Sequence, residues 1–376
     1  MKSVEIRAVR GRADLDRFIK LPYRIYRDDP NWVAPLLFDV RRLLDRAKHP
    51  FHQHADVEYF IAVRGDDVVG RIAAIVNHAH NEFYGDRLGF FGLFECVDDV
   101  EVARALFGAA EAWLRERGMD TVRGPMNLST NEELSSPGIL IDGFDTPPSV
   151  MMTHSPPFYS RLLEAAGYEK SQDLLAYWVD GRNKPEHLVK GLERLKGRQN
   201  VTIRTLDKKR LKEEVQRIKD IYNSAWERNW GFVPLTEAEL DHMAKSLAPV
   251  VDPRLCAFAE VDGEPVGFLL ELPDFNRALK PLKGRLFPFG LFRFLWNKRK
   301  IHVSRVITLG VRPEYRQRGI DAMLIMHTLT VGVDAGYVEG ECSWILESNW
   351  QMRRGLERVG GRVYKTYRVY DKPLAG

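Results

Sequence analysis

The residues best placed to do chemistry are the arginines and glycine of Arg312-Pro313-Glu314-Tyr315-Arg316-Gln317-Arg318-Gly319-Ile320-Asp321-Ala322. They follow an apolar, β-branched run of strand length, Val303–Val311. Behind them come Ala322, Leu324, Ile325 and Leu329 at helical spacing, with Gly336 as the cap. A strand, a basic glycine-containing turn and a helix start make an anion site, because backbone N–H groups and the positive end of the helix dipole point the same way. Arg312, Arg316 and Arg318 can add charge-assisted bonds, and a diphosphate is the natural ligand. Taken alone, the same turn also reads as an ordinary strand-to-helix connection with solvated arginines. Two carboxylates sit at strand ends where a base could stand: Glu347 after Cys342–Leu346, and Glu271 after Val266–Leu270. Either also reads as a solvated strand-end acid.

The elements that must position these groups occur twice. Asn31-Trp32-Val33-Ala34-Pro35-Leu36 matches Asn229-Trp230-Gly231-Phe232-Val233-Pro234-Leu235, with Pro35 and Pro234 199 residues apart. Phe60–Gly70 reads as a hairpin turning at Gly65-Asp66, and Phe258–Gly267 as one turning at Asp262-Gly263. Gly70 and Gly267 are 197 apart. Leu163-Glu164-Ala165-Ala166-Gly167 parallels Leu356-Glu357-Arg358-Val359-Gly360, each a helix ending at glycine before a terminal strand. Three matches in the same order at nearly constant offset favour duplication over chance. The expected division is a first domain over 1–182, a linker over 183–200 and a second domain over 201–376. In the first half, Val97-Asp98-Asp99-Val100-Glu101 stands where the second has its basic turn. Asp99 suits an N-cap there, and such a loop repels a diphosphate.

Composition excludes several classes. Of 376 residues, 44% are apolar and 29% charged, an ordinary globular mixture rather than a disordered or collagen-like one. Cys96, Cys256 and Cys342 are scattered, so they build neither a disulfide scaffold nor a metal site, and they suit a reduced cytoplasm. The charged start MKSVEIRAVRGRADL lacks the apolar stretch of a secretion signal, so none is expected, and no long apolar run suggests integral membrane association. A net charge of +4 gives no reason to expect nucleic acid.

Arg316-Gln317-Arg318-Gly319-Ile320-Asp321, the preceding Leu309-Gly310-Val311-Arg312-Pro313-Glu314-Tyr315 and the later Asn349-Trp350-Gln351-Met352 resemble the GNAT superfamily of N-acetyltransferases. Asp321 departs from the family pattern, which has Gly or Ala there. The resemblance implies an α/β (α+β) fold with two GNAT-like domains, each a mixed, mostly antiparallel central sheet flanked by helices. Duplicated relatives in which one half has lost its coenzyme include mycothiol synthase, N-myristoyltransferase and the Fem ligases. It implies acetyl-CoA or another acyl-CoA as cosubstrate, held by Leu309, Val311, Arg316, Gln317, Arg318, Gly319, Ile320, Asp321, Ala322 and Asn349. It implies a small-molecule or peptide amine as acceptor, near Trp226, Asn229, Trp230 and Phe232. Those aromatics equally read as core. The family's usual tyrosine acid is replaced by Leu356, and its usual strand base by Arg305. The expected activity is therefore N-acetyl transfer resting on backbone polarisation and proximity. A non-catalytic acyl-CoA binder and a Fem-like aminoacyl or peptidyl transferase are the alternatives.

Two segments stand outside this scheme. Pro125–Pro157 is long, irregular and apolar enough to be ordered, and is expected at the acceptor site or at an interface between the halves. Phe275–Lys300 mixes aromatics with Lys and Arg, a composition that can touch a membrane or nucleic acid, but the segment is short and the chain nearly charge-balanced, so it is expected as a lid helix with buried aromatics and solvated cations.

Overall fold

Alternating apolar residues and a Gly-Asp turn make Ala55–Arg64 and Asp67–Asn77 an antiparallel hairpin that pairs Phe60 with Ile72. The computed structural model describes residues 3–130, 136–183, 185–226 and 230–374. These form two compact units, one of Met1–Leu174, Leu279–Leu291 and Lys365–Gly376, the other of Leu175–Ala278 and Phe292–Tyr364.

In chain order the first unit begins with β1 (Val4–Ala8), α1 (Gly11–Ile25), α2 (Leu37–Leu43), the hairpin β2–β3, α3 (His78–Tyr84) and β4 (Leu88–Cys96). It continues with α4 (Val100–Arg115), β5 (Thr121–Gly124), β6 (Ile139–Asp142), α5 (Tyr159–Ala165) and the start of β7 (Glu169–Asp180). The second unit holds α6 (Glu186–Arg198), β8 (Val201–Thr205), α7 (Leu211–Trp226), α8 (Glu237–Leu247), β9 (Cys256–Val261) and β10 (Glu264–Pro273). After the short α9 (Asn276–Leu279) and α10 (Gly290–Lys298) come β11 (Val303–Val311), α11 (Ile320–Asp334), β12 (Glu339–Leu346), α12 (Trp350–Arg358) and β13 (Arg362–Pro373).

The two sheets are built alike. In the first, β1, β2, β3 and β4 are antiparallel neighbours, and β4 pairs parallel with β5. In the second, β8, β9, β10 and β11 are antiparallel neighbours, and β11 pairs parallel with β12. The repeat read from the sequence is thus a repeat of topology. Residues 183–200, read as a joint, carry α6, whose Leu192 and Leu195 pack on the α11 side of the second sheet. The final strand from Lys365 onward lies in the first unit, pairing Tyr370 with Gly124 and Arg368 with Ile139.

Each sheet buries apolar residues against its helices. In the first unit α4 presents Val102, Leu106, Phe107 and Leu114 to a core holding Phe91, Phe94, Tyr159 and Leu163. In the second, α11 presents Ile320, Met323 and Leu324 to Val266, Leu269 and Val311 on one face. On the other, Ile221 and Ala225 of α7 cover Cys256, Phe258, Phe268 and Leu270. Each large aliphatic buried in this way is worth about 1.5–3 kcal/mol. Leu356 is fully buried in a cluster with Leu175, Tyr177 and Cys342, so the position where a family tyrosine is expected serves packing here.

Candidate functional site

The second unit has an opening in its sheet. The parallel strands β11 and β12 pair from Val303 opposite Glu339 to Val306 opposite Cys342, and their pairing ends there. Beyond that register Leu309, Gly310 and Val311 pair only with β10, on the other side of β11. Among the described residues, no pairing between β11 and β12 is found beyond that register.

Above the gap the chain turns into α11. Gly319 is the N-cap residue with φ 74° and ψ 13°, and Gln317 is also left-handed with φ 60°. Glycine adopts this conformation without strain, whereas a side chain does not. The cap makes no side-chain hydrogen bond. Among the described residues, none of the backbone N–H groups from Gln317 to Ala322 donates to a backbone carbonyl. Six consecutive N–H groups at the positive end of a fifteen-residue helix form a cradle for an anion.

The arginines divide the work. The Arg316 guanidinium donates to the carbonyls of Val311 and Ala225, so it fastens the turn to β11 and to the end of α7. Arg318 is exposed and lies 4.9 Å from the centre of the Tyr315 ring. Arg312 pairs with Glu264 at 2.9 Å. Among the described residues, Arg318 is thus the arginine of the turn without a carbonyl or carboxylate bond, and it can reach a phosphate. Asp321 lies in the first turn of α11, where a carboxylate favours the dipole but competes with an incoming anion. Ile320 is buried against the sheet, and Ala322 follows in the same first turn. Asn349 caps α12, accepting from the Met352 N–H at 3.2 Å.

The same places in the first unit are closed by its own chain. The Asp99 carboxylate caps α4, accepting from the N–H groups of Glu101 and Val102. The Arg64 guanidinium, 2.6 Å away, holds that carboxyl below its ordinary pKa. The gap beside β4 is filled by the segment after β5: the Met126 N–H donates to the Phe91 carbonyl at 2.7 Å, and the Leu93 N–H to the Asn127 Oδ1 at 2.9 Å. A Cβ on Gly92 would lie 1.8 Å from the Met126 carbonyl oxygen. The Pro125–Pro157 connection therefore plugs its own unit with Met126, Leu128, Ile139, Leu140 and Met152 buried. Residues 131–135 of it lie outside the described residues.

The carboxylates lie on different faces. Glu271 is buried on β10, on the side of Leu269 and α11, and accepts from the Ser304 hydroxyl. Burial pushes its carboxyl up to about 7. Glu347 is half-buried at the mouth of the gap, its carbonyl accepting from the Arg353 guanidinium at 2.8 Å. On the α7 face stands a group that the sequence reading overlooked. Glu341 is fully buried beside Arg305, 3.7 Å away, and accepts from the hydroxyls of Ser343 and Tyr364. Arg305 also donates to the Ser343 Oγ at 2.9 Å. Strand alternation would have placed Arg305 and Glu341 on the face opposite Ser304 and Gly340. A buried arginine requires such a partner.

Phe232 is buried and stands 5.6 Å from the Tyr222 ring, so this candidate acceptor residue packs against α7. Trp230 is half-buried, Trp226 ends α7, and Asn229 lies outside the described residues. The Phe275–Lys300 segment contradicts its expectation, since Phe287, Phe289, Phe292 and Trp296 face water instead of lying buried beneath a lid. Only Phe275 and Phe294 pair inward, at 6.1 Å. The three cysteines are buried and free. Among the described residues, no group of three or more His, Cys, Asp or Glu could hold a metal, and no helix is long and apolar enough to cross a membrane.

A duplicated sheet with a gap between parallel strands, topped by an N–H cradle, defines an acyl-coenzyme-dependent transferase of GNAT type. Residues 215–354 match the acetyltransferase (GNAT) family, and the chain belongs to that family as an acyltransferase. It is 41% identical over 373 residues to the bacterial ceramide synthase of Caulobacter vibrioides, covering 97% of this chain and 96% of the relative. It is 39% identical over 377 residues to protein YghO of Escherichia coli, covering 98% and 95%. A tandem GNAT protein from the clavulanic acid biosynthesis pathway shares the fold with a TM-score of 0.59 at 13% identity, covering 100% of this chain and 99% of its own. A GNAT protein from Sphaerobacter thermophilus does so with a TM-score of 0.55 at 17% identity, covering 99% and 96%.

Proposed function

We propose that this chain is an N-acyltransferase that moves a long-chain acyl group from coenzyme A to the amine of a long-chain amino alcohol, giving an amide of the ceramide type. The observation that carries this reading is the similarity along nearly the whole chain to a bacterial ceramide synthase. A ceramide is an N-acylated long-chain amino alcohol, so the reaction is the amide-forming chemistry of the family with apolar partners.

The second unit does the work in this reading. The N–H groups from Gln317 to Ala322, with Arg318, hold the diphosphate of the acyl-CoA. Leu309, Val311 and Asn349 border the gap that takes the thioester arm. Open N–H groups on the edge of β11 polarise the thioester carbonyl. The amine nitrogen bonds to the carbonyl carbon, the carbon–sulfur bond breaks, and the thiolate leaves. The amine proton passes to the Tyr364 oxygen as the Tyr364 proton moves to Glu341, which Arg305 holds in place. Glu347 is the other acid at the mouth of the gap. Glu271 lies on the opposite face and is assigned no proton transfer.

Thiol release tests the reading directly. Long-chain and acetyl thioesters are each offered with a long-chain amino alcohol, a short amine and a peptide amine. Release that requires both long-chain partners supports the proposal. Preference for acetyl-CoA or for a short or peptide amine rejects it.

A further inference from the structure

The structure assigns a second property to this chain, independent of the acceptor proposed above: the segment Leu286–Lys300 is a docking surface for an anionic lipid bilayer. Six large apolar side chains stand exposed within ten residues, namely Phe287, Phe289, Leu291, Phe292, Leu295 and Trp296. Phe287 is 83% exposed and Phe289 77%. Only five other large apolar side chains among the described residues are exposed, and those are scattered along the chain. So concentrated an apolar surface marks a site of contact rather than ordinary surface composition.

The helix within the segment is sided. Leu291, Phe292, Leu295 and Trp296 recur at the spacing of one face of α10. Phe294 points away from that face, half-buried, to the Phe275 ring. The root of the segment is fixed as well. The Gly284 carbonyl accepts from the Leu37 N–H, and a Cβ on Gly284 would lie 2.6 Å from the Tyr23 ring. The turn that leads into Phe287 and Phe289 is therefore anchored within its own unit.

Charge identifies the partner. Between Asn276 and Lys300 the sequence has eight Lys or Arg and no Asp or Glu. Arg277 pairs with Asp274. Among the described residues, no carboxylate forms an ion pair with Lys280, Lys283, Arg285, Arg293, Lys298, Arg299 or Lys300. Aromatic and aliphatic side chains reach the boundary between headgroups and acyl chains, while neighbouring cations meet anionic headgroups. A second copy of this face would set the same unpaired cations against each other. An anionic bilayer satisfies both the apolar and the basic side chains.

Vesicle sedimentation of the full chain tests this without acyl donor or amine, so failure here leaves the acyltransferase reading standing. Vesicles are made of phosphatidylcholine alone and with phosphatidylglycerol added. The protein is expected to sediment with the anionic vesicles, and less so as salt rises. Phe287→Ser with Phe289→Ser and Phe292→Ser should weaken binding roughly tenfold or more. Arg293→Glu with Lys298→Glu and Arg299→Glu should do the same. All six positions are exposed, and circular dichroism confirms that the variants fold. Failure of the native protein to bind anionic vesicles overturns the proposal. So does unchanged binding by the folded aromatic variant. A dimer of the native protein that this variant dissociates, with no vesicle binding, would instead make the face a contact between copies.

Discussion

Replacing Gly319 with valine strikes the turn that the proposed function assigns to coenzyme binding. Its φ of 74° lies in the left-handed region, which costs a non-glycine residue roughly 1–2 kcal/mol, more when the side chain is β-branched. The new Cβ would also meet the Leu195 Cδ2 at 2.9 Å, but that is the end of a flexible side chain and can swing aside. The total strain is about 2–3 kcal/mol. It can be met in two ways. If the turn keeps its shape, the folded state bears the strain, and the melting temperature falls by roughly 4–12 °C for a unit of this size while coenzyme affinity holds. If the turn leaves the left-handed region, stability changes little, but the N–H groups from Gln317 to Ala322 no longer converge. The turn is exposed and anchored mainly through Arg316, so the second outcome is expected. A loss of 2–3 kcal/mol in binding raises the Kd for coenzyme A by roughly 30- to 150-fold. Calorimetric titration with coenzyme A, beside a thermal melt, separates the cases. A folded Gly319→Val protein with native affinity would refute the assignment of the turn.

Further expectations follow from neighbouring groups. Asp321→Asn removes a carboxylate from beside the cradle and should tighten coenzyme A binding roughly threefold to tenfold at low salt, an effect that disappears in high salt. Unchanged affinity at low salt would mean that the carboxylate points away. Tyr364→Phe should lower kcat by roughly a hundredfold or more and flatten its pH profile, with coenzyme A affinity intact. A purely structural tyrosine would leave the shape of the profile unchanged. Glu271 has a folded-state pKa near 7, raised by burial from the ordinary carboxylate value of 4.5. Its favourable contribution is therefore complete below about pH 4.5 and is lost as pH rises through 7, by about 3 kcal/mol in all. Glu271→Gln should flatten this decline in denaturant unfolding measured between pH 5 and 8. An equally steep decline in the variant would show that Glu271 is not its source.

Much of the fold was legible in the sequence because its signals were local. The Gly-Asp and Asp-Gly turns, the helix-ending glycines and the Asn-Trp motifs exposed a repeat that the two sheets reproduce strand for strand. The strand-to-helix turn was legible for the same reason, since Gly319 follows a strand and opens a helix. What the sequence concealed depends on distant partners. Asp99 reads as a cap, and the structure confirms it, but no local signal says that Met126 and Asn127 fill the gap beside β4. The pairing of Glu341 with Arg305 and Tyr364 joins three strands and has no motif. The residues from Lys365 onward were read with the second half because they follow it in the chain. Their strand partners are Gly124 and Ile139. The shortness of the segment and the near charge balance of the chain point to buried aromatics over residues 287–296, but neither decides exposure, and Phe287, Phe289, Phe292 and Trp296 face water.

The most direct measurement is the identity of the product. Purified protein is incubated with a long-chain acyl-CoA and a long-chain amino alcohol, and the lipids are extracted and weighed by mass spectrometry. The account predicts one new species with the summed mass of acyl group and amine less water, bearing the acyl group on nitrogen, in step with the coenzyme A thiol released. Thiol release without that amide, or acyl transfer to oxygen alone, would contradict it.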